Sequence, residues 1–378
     1  MYTQDFFNQA MQAYANGKND LAEELLVRSA EQGNPQAVLY YADILYKNKQ
    51  ADAHRYLAKK WRDGVQGTLH RSVLLSVFFE NKPFDLEKFT NLYLEAQKGH
   101  VESLLILLNG FSAESKEFHC IYSLLVKYVP ELAEEFNNML NREYLEKFAI
   151  DDLESAYQVF DEGFGEGKNY KILRQDNSIG LKVLENVLSE IECIYLKLRF
   201  GGMLRPSLVI DPITGNAQRD KIRTSSVVQI GAELLDWFTL AIERRIAKLA
   251  EYPIECGEQL NFLHYAPGQQ YFPHYDALLG DSKGLPALLE DGGQRVQTVL
   301  CYLNTLKTGG ETYFPRTKKS VSPIQGNILM FDNVDPEGKV LHAAYHAGSS
   351  FEYGDKWVLT KWVREHKTRY GQTVFGES

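Results

Sequence analysis

The chain has few of the features that mark secreted, membrane-spanning and nucleic-acid-binding proteins. Only 4 of its 378 residues are cysteines and none stands in a CxxC pair, which argues against a disulfide framework or a structural zinc site. No apolar run of about 18 residues occurs, and no basic stretch precedes an apolar one at the N-terminus, so neither a membrane span nor a secretory signal is expected. The net charge is −9, without a basic stripe for nucleic acid. We therefore expect a soluble protein of the reducing cytoplasm.

Residues 1–165 have the pattern of α-helices, with apolar residues at every third or fourth position and few prolines. Three segments of this half resemble one another and centre on Gly33, Gly64 and Gly99, with spacings of 31 and 35 residues. Such a period is typical of helix–turn–helix repeats that stack into a solenoid. Each glycine is expected to end one helix in a left-handed conformation. A plain helical bundle without a binding role is the alternative.

Residues 166–378 change to a β pattern. Short apolar runs alternate with turn signals such as DPITGN, APGQQ and SPIQGN. Residues 178–200 read as a helix followed by a strand, and residues 231–252 as an amphipathic helix. Many short strands after one or two helices favour a jelly roll or another double-sheet barrel. The expected strands are 260–265, 271–276, 295–303, 311–314, 327–332, 341–346 and 356–364.

Candidate metal ligands occur in two stretches of the second half. His274 and Asp276 are two residues apart in YFPHYD, and on a strand they would project to the same face. This pair alone is weak evidence, because half-buried His–Asp pairs are common. His346 offers a second imidazole, and two histidines with one carboxylate are the ligands of non-haem Fe(II) oxygenases. Lys356 follows ten residues later, and a dicarboxylic acid that chelates the metal would present its other carboxylate to that ammonium.

Several motifs resemble those of the 2-oxoglutarate-dependent prolyl 4-hydroxylases. The resemblance spans residues 190–366 and includes HYAPGQQYFPHYD, RVQTVLCYLN, GGETYFP, PIQGNILMFDN and HAGSSFEYGDKWVLTKW. It implies a metal triad of His274, Asp276 and His346. It also implies that Lys356 pairs with the far carboxylate of 2-oxoglutarate. Further co-substrate contacts are implied at Tyr265, Thr298 and Trp362.

The resemblance also implies the cofactors and a relative for the first half. Fe(II) is the implied metal, 2-oxoglutarate and dioxygen are the implied co-substrates, and ascorbate is the implied reductant. The helical repeats are similar to the Sel-one-like branch of the tetratricopeptide repeats. His342 has the same strand parity as His346, but only His346 stands ten residues before Lys356 as in the family. His342 is therefore expected to be a buried or rim histidine.

Other positions keep two interpretations. Thr298 and Trp362 are alternatively core residues of the barrel. Tyr271 and Tyr275 flank the metal-ligand stretch and are either core or rim aromatics, or part of a groove for an extended proline-rich peptide. Two features differ from the family and bear on the identity of the substrate. Arg364 occupies a position where the family often has histidine, and the segment 277–294 has Lys283 as its only basic residue.

Together these features predict an α+β protein with two domains. Residues 1–165 would form a helical repeat solenoid that recruits the substrate, and residues 166–378 a double-stranded β-helix (jelly-roll) catalytic domain with flanking helices. The expected activity is the hydroxylation of prolyl residues in a protein or peptide, with release of succinate and CO2. The same iron chemistry on a free amino acid or a peptide natural-product intermediate is one alternative, and a non-catalytic repeat scaffold is another. No nucleic-acid or membrane partner is expected.

Overall fold

The chain forms two compact units, Met1–Gly163 and Phe164–Ser378. The computed structural model describes residues 2–136, 150, 152–161, 170–210, 217–219, 224–279 and 285–376. The domain boundary expected between residues 165 and 166 lies outside the described residues. Within the described ranges, no helix combines the length and the apolar character needed to cross a membrane.

In its described part the first unit consists of helices. Each helix from α1 to α9 packs against the next one along the chain, and a π-helix over Leu75–Phe79 continues α5. The helices are α1 Tyr2–Ala15, α2 Asn19–Glu31, α3 Pro35–Asn48, α4 Gln50–Arg62, α5 Thr68–Leu74, α6 Leu86–Gln97, α7 Val101–Gly110, α8 Lys116–Tyr128, α9 Pro130–Glu134 and α10 Leu153–Gln158.

Glycines follow the first helix of three successive helix pairs. Gly33 follows α2, Gly64 follows α4 and Gly99 follows α6, with φ angles of +84°, +89° and +85°. Glycine adopts this left-handed conformation without a Cβ penalty, and the expectation from the sequence is confirmed at all three positions. After Gly33 the Asn34 side chain accepts the backbone N–H of Ala37 at 3.0 Å and caps α3. The chain therefore reverses within a few residues.

The second unit consists of antiparallel sheets with flanking helices. Its helices are α11 Glu190–Gly201, α12 Trp237–Ala250, α13 Leu285–Leu289 and α14 Arg369–Phe375. Its strands are β1 Ile172–Asp176, β2 Leu181–Leu184, β3 Arg205–Pro206, β4 Leu208–Ile210, β5 Ala217–Arg219, β6 Ser226–Ile230, β7 Leu260–Tyr265, β8 Tyr271–His274, β9 Arg295–Tyr302, β10 Thr312–Phe314, β11 Lys319–Val321, β12 Ile328–Asp332, β13 His346–Gly348 and β14 Lys356–Arg364.

A large and a small sheet share the inner core of this unit. The large sheet has the order β1-β2-β12-β9-β14-β7-β6-β3, the small sheet the order β11-β10-β13-β8, and β4 and β5 form a separate hairpin. The outer face of the large sheet packs against α11 and α12, where Phe262 and Ile242 belong to one core cluster. The inner face packs against the small sheet, where Leu263 and Val358 share a cluster with Phe314. Strand alternation sends the neighbours Phe262 and Leu263 to these two different cores.

The structure reverses the order of elements that the sequence suggested for residues 178–200. The strand β2 comes first and the helix α11 second. Leu181 and Val183 alternate into the inner core, which is the period of a strand. The helix starts only at Glu190, because Ser189 and Glu192 form a capping box there.

Other sequence-based boundaries also change. The strand expected at 341–346 is a 3-10 turn over His342–Ala344, and β13 begins at His346, where pairing with β8 becomes available. The strand β8 ends at His274 rather than at residue 276. The helix expected over 231–252 begins at Trp237, because Asp236 caps its first turn. The strands expected at 260–265 and 356–364 are confirmed.

Candidate metal and co-substrate site

Two histidines from neighbouring strands of the small sheet lie side by side. His274 is the last residue of β8 and His346 is the first residue of β13, and they are direct partners in the antiparallel register. Direct partners in an antiparallel pair bring their side chains into reach of each other. The ring centroids are 4.4 Å apart. Pairing of two strands that are distant in sequence thus assembles half of a ligand cluster.

Asp276 completes the cluster from a bend just beyond β8. Its carboxylate oxygens lie 3.4 Å from Nε2 of His274 and 3.6 Å from Nε2 of His346. One ligand atom from each of the three residues lies within 4.8 Å of the other two. Asp276 and His346 are buried, whereas His274 is partly exposed. The geometry allows all three atoms to reach one metal ion.

Backbone carbonyls set the orientation of both imidazole rings. Nδ1 of His274 lies 2.8 Å from the carbonyl oxygen of Phe272, and Nδ1 of His346 lies 2.9 Å from that of Ala344. A carbonyl oxygen only accepts hydrogen bonds, so each Nδ1 carries the proton and donates it. Each Nε2 therefore carries a lone pair that a metal ion beside Asp276 could accept. This arrangement is the usual support for histidines that bind a metal.

The Asp276 carboxylate is held in its ionised form. Thr298 Oγ1 donates to Asp276 Oδ2 at 2.8 Å, and Asn333 Nδ2 donates to Thr298 Oγ1 at 2.9 Å. Burial alone raises the pKa of Asp276, but the neighbouring imidazoles and the Arg295 guanidinium more than offset it and hold the pKa far below the usual range. Burial lowers the pKa of His346 to about 4. An ionised carboxylate and a neutral imidazole are the forms that bind a metal.

A cavity adjoins the cluster and has a buried lysine in its wall. Lys356, the first residue of β14, is 5% exposed, and no hydrogen bond or ion pair joins its ammonium to a described residue. Burial lowers the pKa of Lys356 to about 8, although the charge of Glu311 opposes this. Tyr265 is its register partner on β7, with the ring centroid 5.6 Å from Nζ. An unpaired buried ammonium is costly, so this wall favours an anionic ligand.

Alternate residues of β14 line this cavity. Lys356, Val358, Thr360 and Trp362 all face it, because residues two apart on a strand share a face. The hydroxyl of Thr360 is buried and makes no hydrogen bond within the described part of the chain, and the same holds for the indole N–H of Trp362. The three residues of the ligand cluster line the same cavity. A metal ion and an anionic ligand would thus share one enclosed space.

Known proteins match the part of the chain that carries this cavity. The 2OG-Fe(II) oxygenase superfamily model matches residues 260–364. Probable prolyl 4-hydroxylase 10 of Arabidopsis thaliana is 34% identical over 204 residues, which cover 49% of this chain and 68% of that protein. Prolyl 4-hydroxylase 1 of the same plant is 36% identical over 200 residues, which cover 49% and 69%. This chain belongs to the prolyl 4-hydroxylase family.

A solved structure was also found for this family. The viral collagen prolyl hydroxylase of Paramecium bursaria Chlorella virus-1, in complex with 2OG, is 25% identical to this chain. The alignment covers 49% of this chain and 95% of that one, with a TM-score of 0.38.

The residues of the cavity fit the metal and co-substrates that the 2OG-Fe(II) oxygenase superfamily uses, namely Fe(II), 2-oxoglutarate and dioxygen. Two imidazoles and one carboxylate on one side of an iron leave the opposite positions open for other ligands. The unpaired Lys356 matches the charge of the second carboxylate of a dicarboxylic acid. Both fits rest on side chains that line one cavity.

Beyond the ligand cluster and Lys356, some residues singled out from the sequence line the cavity and others do not. Tyr265, Trp362 and Tyr271 line it, and the Tyr271 ring stacks on His274 with centroids 3.5 Å apart. Thr298 is fully buried and contacts Asp276 instead of facing the cavity. Tyr275 lies outside the cavity lining, where its hydroxyl is 3.1 Å from Nδ1 of His342.

The parity argument that placed His342 on one strand with His346 is wrong. His342 lies on the 3-10 turn, where residues two apart do not share a face. Its partner there is Tyr275, and it is not a member of the ligand cluster. The turn brings only His346 to the start of β13. Of His342 and His346, the structure places His346 in the ligand cluster.

Arg364 does not line the cavity in the described structure. It is buried, and its guanidinium donates to the backbone carbonyl oxygens of Gly293 and Leu288. Its side chain also forms an ion pair with Glu258, with Nε 2.9 Å from Oε1. Lys283, in the segment that precedes these carbonyls, lies outside the described residues.

Sequence reasoning missed several polar groups of the cavity. Thr360 stands four residues after Lys356, so the parity of β14 was a sufficient signal for it. Tyr302 and Thr312 also line the cavity, and their hydroxyls are 2.8 Å apart. They lie within the motifs RVQTVLCYLN and GGETYFP. Only the pairing of distant strands shows that these two hydroxyls meet.

Proposed function

We propose that this protein is an Fe(II)- and 2-oxoglutarate-dependent dioxygenase that hydroxylates prolyl residues of a protein or peptide. The observation that carries the proposal is one cavity that holds both a two-histidine, one-carboxylate cluster and an unpaired buried lysine. Membership of the prolyl 4-hydroxylase family supports a prolyl substrate. Succinate and CO2 are the expected co-products.

The metal would be held by His274, Asp276 and His346. Both Nε2 atoms and one carboxylate oxygen are the ligands we propose, because each Nδ1 donates to a backbone carbonyl. Thr298 keeps the Asp276 carboxylate oriented. When bound, the iron together with dioxygen and 2-oxoglutarate supplies the oxidising chemistry that converts a C–H bond to C–OH.

The co-substrate would be held at its far carboxylate by Lys356. Tyr265, the register partner of Lys356, is placed for its hydroxyl to assist. Thr360 offers a hydroxyl with no other partner in the described chain, and Trp362 covers the cavity wall against water. Because the ion pair would form away from water, it is worth more than an exposed pair. A molecule anchored at Lys356 would direct its other end to the three ligands.

Aromatic side chains next to the ligand cluster would contact the prolyl substrate. Tyr271 stacks on His274 and lines the cavity. Tyr275 packs on Tyr345, with ring centroids 4.8 Å apart. Extended proline-rich segments bind to aromatic surfaces at low entropic cost, because their conformation is already fixed. We assign Tyr271 to the reacting proline and Tyr275 to a neighbouring residue of the peptide.

The same proposal gives the first unit a role in recruitment. Successive packing of α1 to α9, with left-handed glycines inside three pairs, supports a repeat solenoid over residues 1–165.

The shared core of the large and small sheets supports a jelly roll over residues 166–378. The four cysteines are free and buried, which supports a reducing cytoplasm. Ascorbate is the reductant that we propose for the iron.

Peptide-stimulated turnover tests the proposal. Anaerobically Fe(II)-loaded protein is exposed to air with 2-oxoglutarate, with and without a proline-rich peptide, and both succinate and hydroxyproline are quantified. We expect equal amounts of the two products and loss of both in His346→Ala. The matched control is His366→Ala, because the His366 side chain is 72% exposed. Succinate that depends on His346 but not on the peptide would contradict a prolyl substrate and favour a free amino acid. No succinate from iron-loaded protein would favour a non-catalytic scaffold.

A further inference from the structure

Arg364, the last residue of β14, joins separate parts of the second unit. It is 6% exposed, and its guanidinium donates to the carbonyl oxygens of Gly293 and Leu288, at 3.1 Å for Leu288. Its Nε lies 2.9 Å from Glu258 Oε1. Both carbonyls belong to residues 285–294, which are called the 285–294 segment below. A single side chain therefore ties this segment to the large sheet.

The end of the 285–294 segment is also tied close to a metal ligand. Gln294 Oε1 accepts the backbone N–H of Leu278 at 2.6 Å, and Gln294 Nε2 donates to the carbonyl oxygen of Leu278 at 3.0 Å. Leu278 is two residues after Asp276. These reciprocal bonds close the neck of the loop that begins after Asp276. The segment therefore emerges directly beside the ligand cluster.

Arg364 is also connected to the wall of the cavity, through Glu258 and Arg295. Glu258, which pairs with Arg364, also binds Arg295 with two hydrogen bonds of 2.6 and 2.8 Å. The Arg295 guanidinium lies 3.7 Å from the ring centroid of Trp362, and Trp362 lines the cavity. The 285–294 segment is thus connected through partly buried charges to the Trp362 end of the cavity. Lys356 lies six residues from Trp362 along β14, about 20 Å at ~3.3 Å per residue.

We propose that Arg364 is a positioning residue that holds the 285–294 segment beside the Trp362 end of the cavity and thereby sets the affinity for the peptide substrate. This deepens the proposed function and rests on it. The guanidinium donates to two carbonyl oxygens of the segment while its charge pairs with Glu258. Neither the smaller imidazole nor the ammonium of lysine has this planar fork of donors. These contacts favour arginine at this position. Glu258 balances its charge in the buried site.

The proposal separates peptide binding from co-substrate binding. The 285–294 segment lies beside the metal ligands, where a reacting peptide would approach, whereas 2-oxoglutarate would be held at the Lys356 end of the cavity. Release of the segment should therefore weaken peptide binding and leave peptide-independent succinate formation unchanged. A residue that mattered only for folding would affect both.

The test uses the full-length, Fe(II)-loaded enzyme with Arg364→His, and Arg364→Lys as the conservative variant. Arg199→His is the matched control, because the Arg199 side chain is 43% exposed on α11. The readouts are KM and kcat for a proline-rich peptide, peptide-independent succinate, and amide hydrogen exchange of the 285–294 segment. We expect Arg364→His to raise the peptide KM about tenfold, with kcat and peptide-independent succinate within about twofold, and to speed exchange in the segment. Arg364→Lys should be intermediate and Arg199→His unchanged.

Any other outcome contradicts one defined part of the proposal. A raised KM without faster exchange would mean that Arg364 acts on the peptide directly, and faster exchange without a change in KM would mean that the segment does not set affinity. If Arg364→His fails to bind Fe(II), the peptide KM and the amide exchange of Arg364→Lys test the proposal instead. If the wild type makes no peptide-stimulated succinate, the proposed function fails. The anchoring role then stands if exchange rises in Arg364→His and falls if it does not.

Discussion

Thr298 acts on the site through Asp276. Its hydroxyl accepts from Asn333 Nδ2 and donates to Asp276 Oδ2, so its only proton is directed at the carboxylate. Hydrogen bonds of this kind orient metal ligands, and their loss typically costs about 10–100-fold in metal affinity. The sequence left Thr298 either in the co-substrate pocket or in the core of the barrel, and the structure buries it behind a metal-ligand candidate.

Replacement of Thr298 by valine should weaken metal binding. Thr298→Val keeps the shape of the side chain but leaves one Asp276 oxygen without its donor. We expect the Kd for Fe(II) to rise about 10–100-fold in anaerobic titrations. Thr373→Val is the control, because the Thr373 hydroxyl bonds only to the Arg369 carbonyl on an exposed stretch of α14. An unchanged Kd would show that Asp276 does not need this hydroxyl.

Lys356 should make 2-oxoglutarate binding sensitive to pH. Burial lowers its pKa to about 8, so the ammonium loses its proton as the pH rises through that value. The dicarboxylate binds the protonated form, so its Kd should be flat below about pH 8 and rise above it, by up to about tenfold per pH unit. Anaerobic titrations of Fe(II)-loaded protein between pH 6.5 and about 9.5 measure this. The same rise in Lys356→Met would exclude Lys356 as its origin.

At the scale of elements, β14 uses its two faces for two purposes. Lys356, Thr360 and Trp362 face the cavity, whereas Leu359 and Val363 face the outer core. The sequence predicted this strand with its correct ends, because two short apolar runs, WVL and WV, stand close together after a turn signal. Its alternation was enough to find Thr360. The same rule, that residues two apart share a face, failed at His342. The sequence of so short a segment does not show whether it pairs as a strand or forms a turn, and here it forms a 3-10 turn.

The left-handed glycines of the first unit should differ in their tolerance of a side chain. A Cβ at Gly99 would lie 2.8 Å from the ring of Tyr128, whereas a Cβ at Gly33 would meet nothing within 4 Å. Gly33→Ala should therefore cost only the backbone strain, about 1–2 kcal/mol, and Gly99→Ala more. Urea unfolding of the full-length protein, followed by helical circular dichroism, measures both. Equal costs would show that the Tyr128 ring moves aside freely.

At the scale of the whole molecule, the sequence predicted the two kinds of structure but not which strands pair. A helical period in the first half and a strand period in the second are local signals, and the two units carry them. Strand order is not local, since β12 lies between β2 and β9 in the large sheet. The meeting of His274 and His346, 72 residues apart, was inferred from motif resemblance, because no rule of spacing shows it.

Removal of the helical unit should affect large substrates only. Deletion of residues 1–160 is expected to lower kcat/KM for a full-length protein substrate at least about tenfold, because recruitment raises the local concentration of the target. Turnover of a short proline-rich peptide should stay within about twofold. Equal Fe(II) and 2-oxoglutarate affinities before and after deletion are the control. Unchanged turnover of the protein substrate would remove the recruitment role.

The central claim is that one cavity holds the metal at three ligands and the co-substrate at Lys356. The most direct measurement is anaerobic titration of Fe(II)-loaded protein with 2-oxoglutarate, followed by the visible charge-transfer absorbance of the chelate. We predict saturable absorbance in the wild type and in the exposed-lysine control Lys367→Met, a Kd at least about tenfold higher in Lys356→Met, and none in His346→Ala. The same Kd in Lys356→Met as in the wild type, or absorbance that survives His346→Ala, would contradict the account.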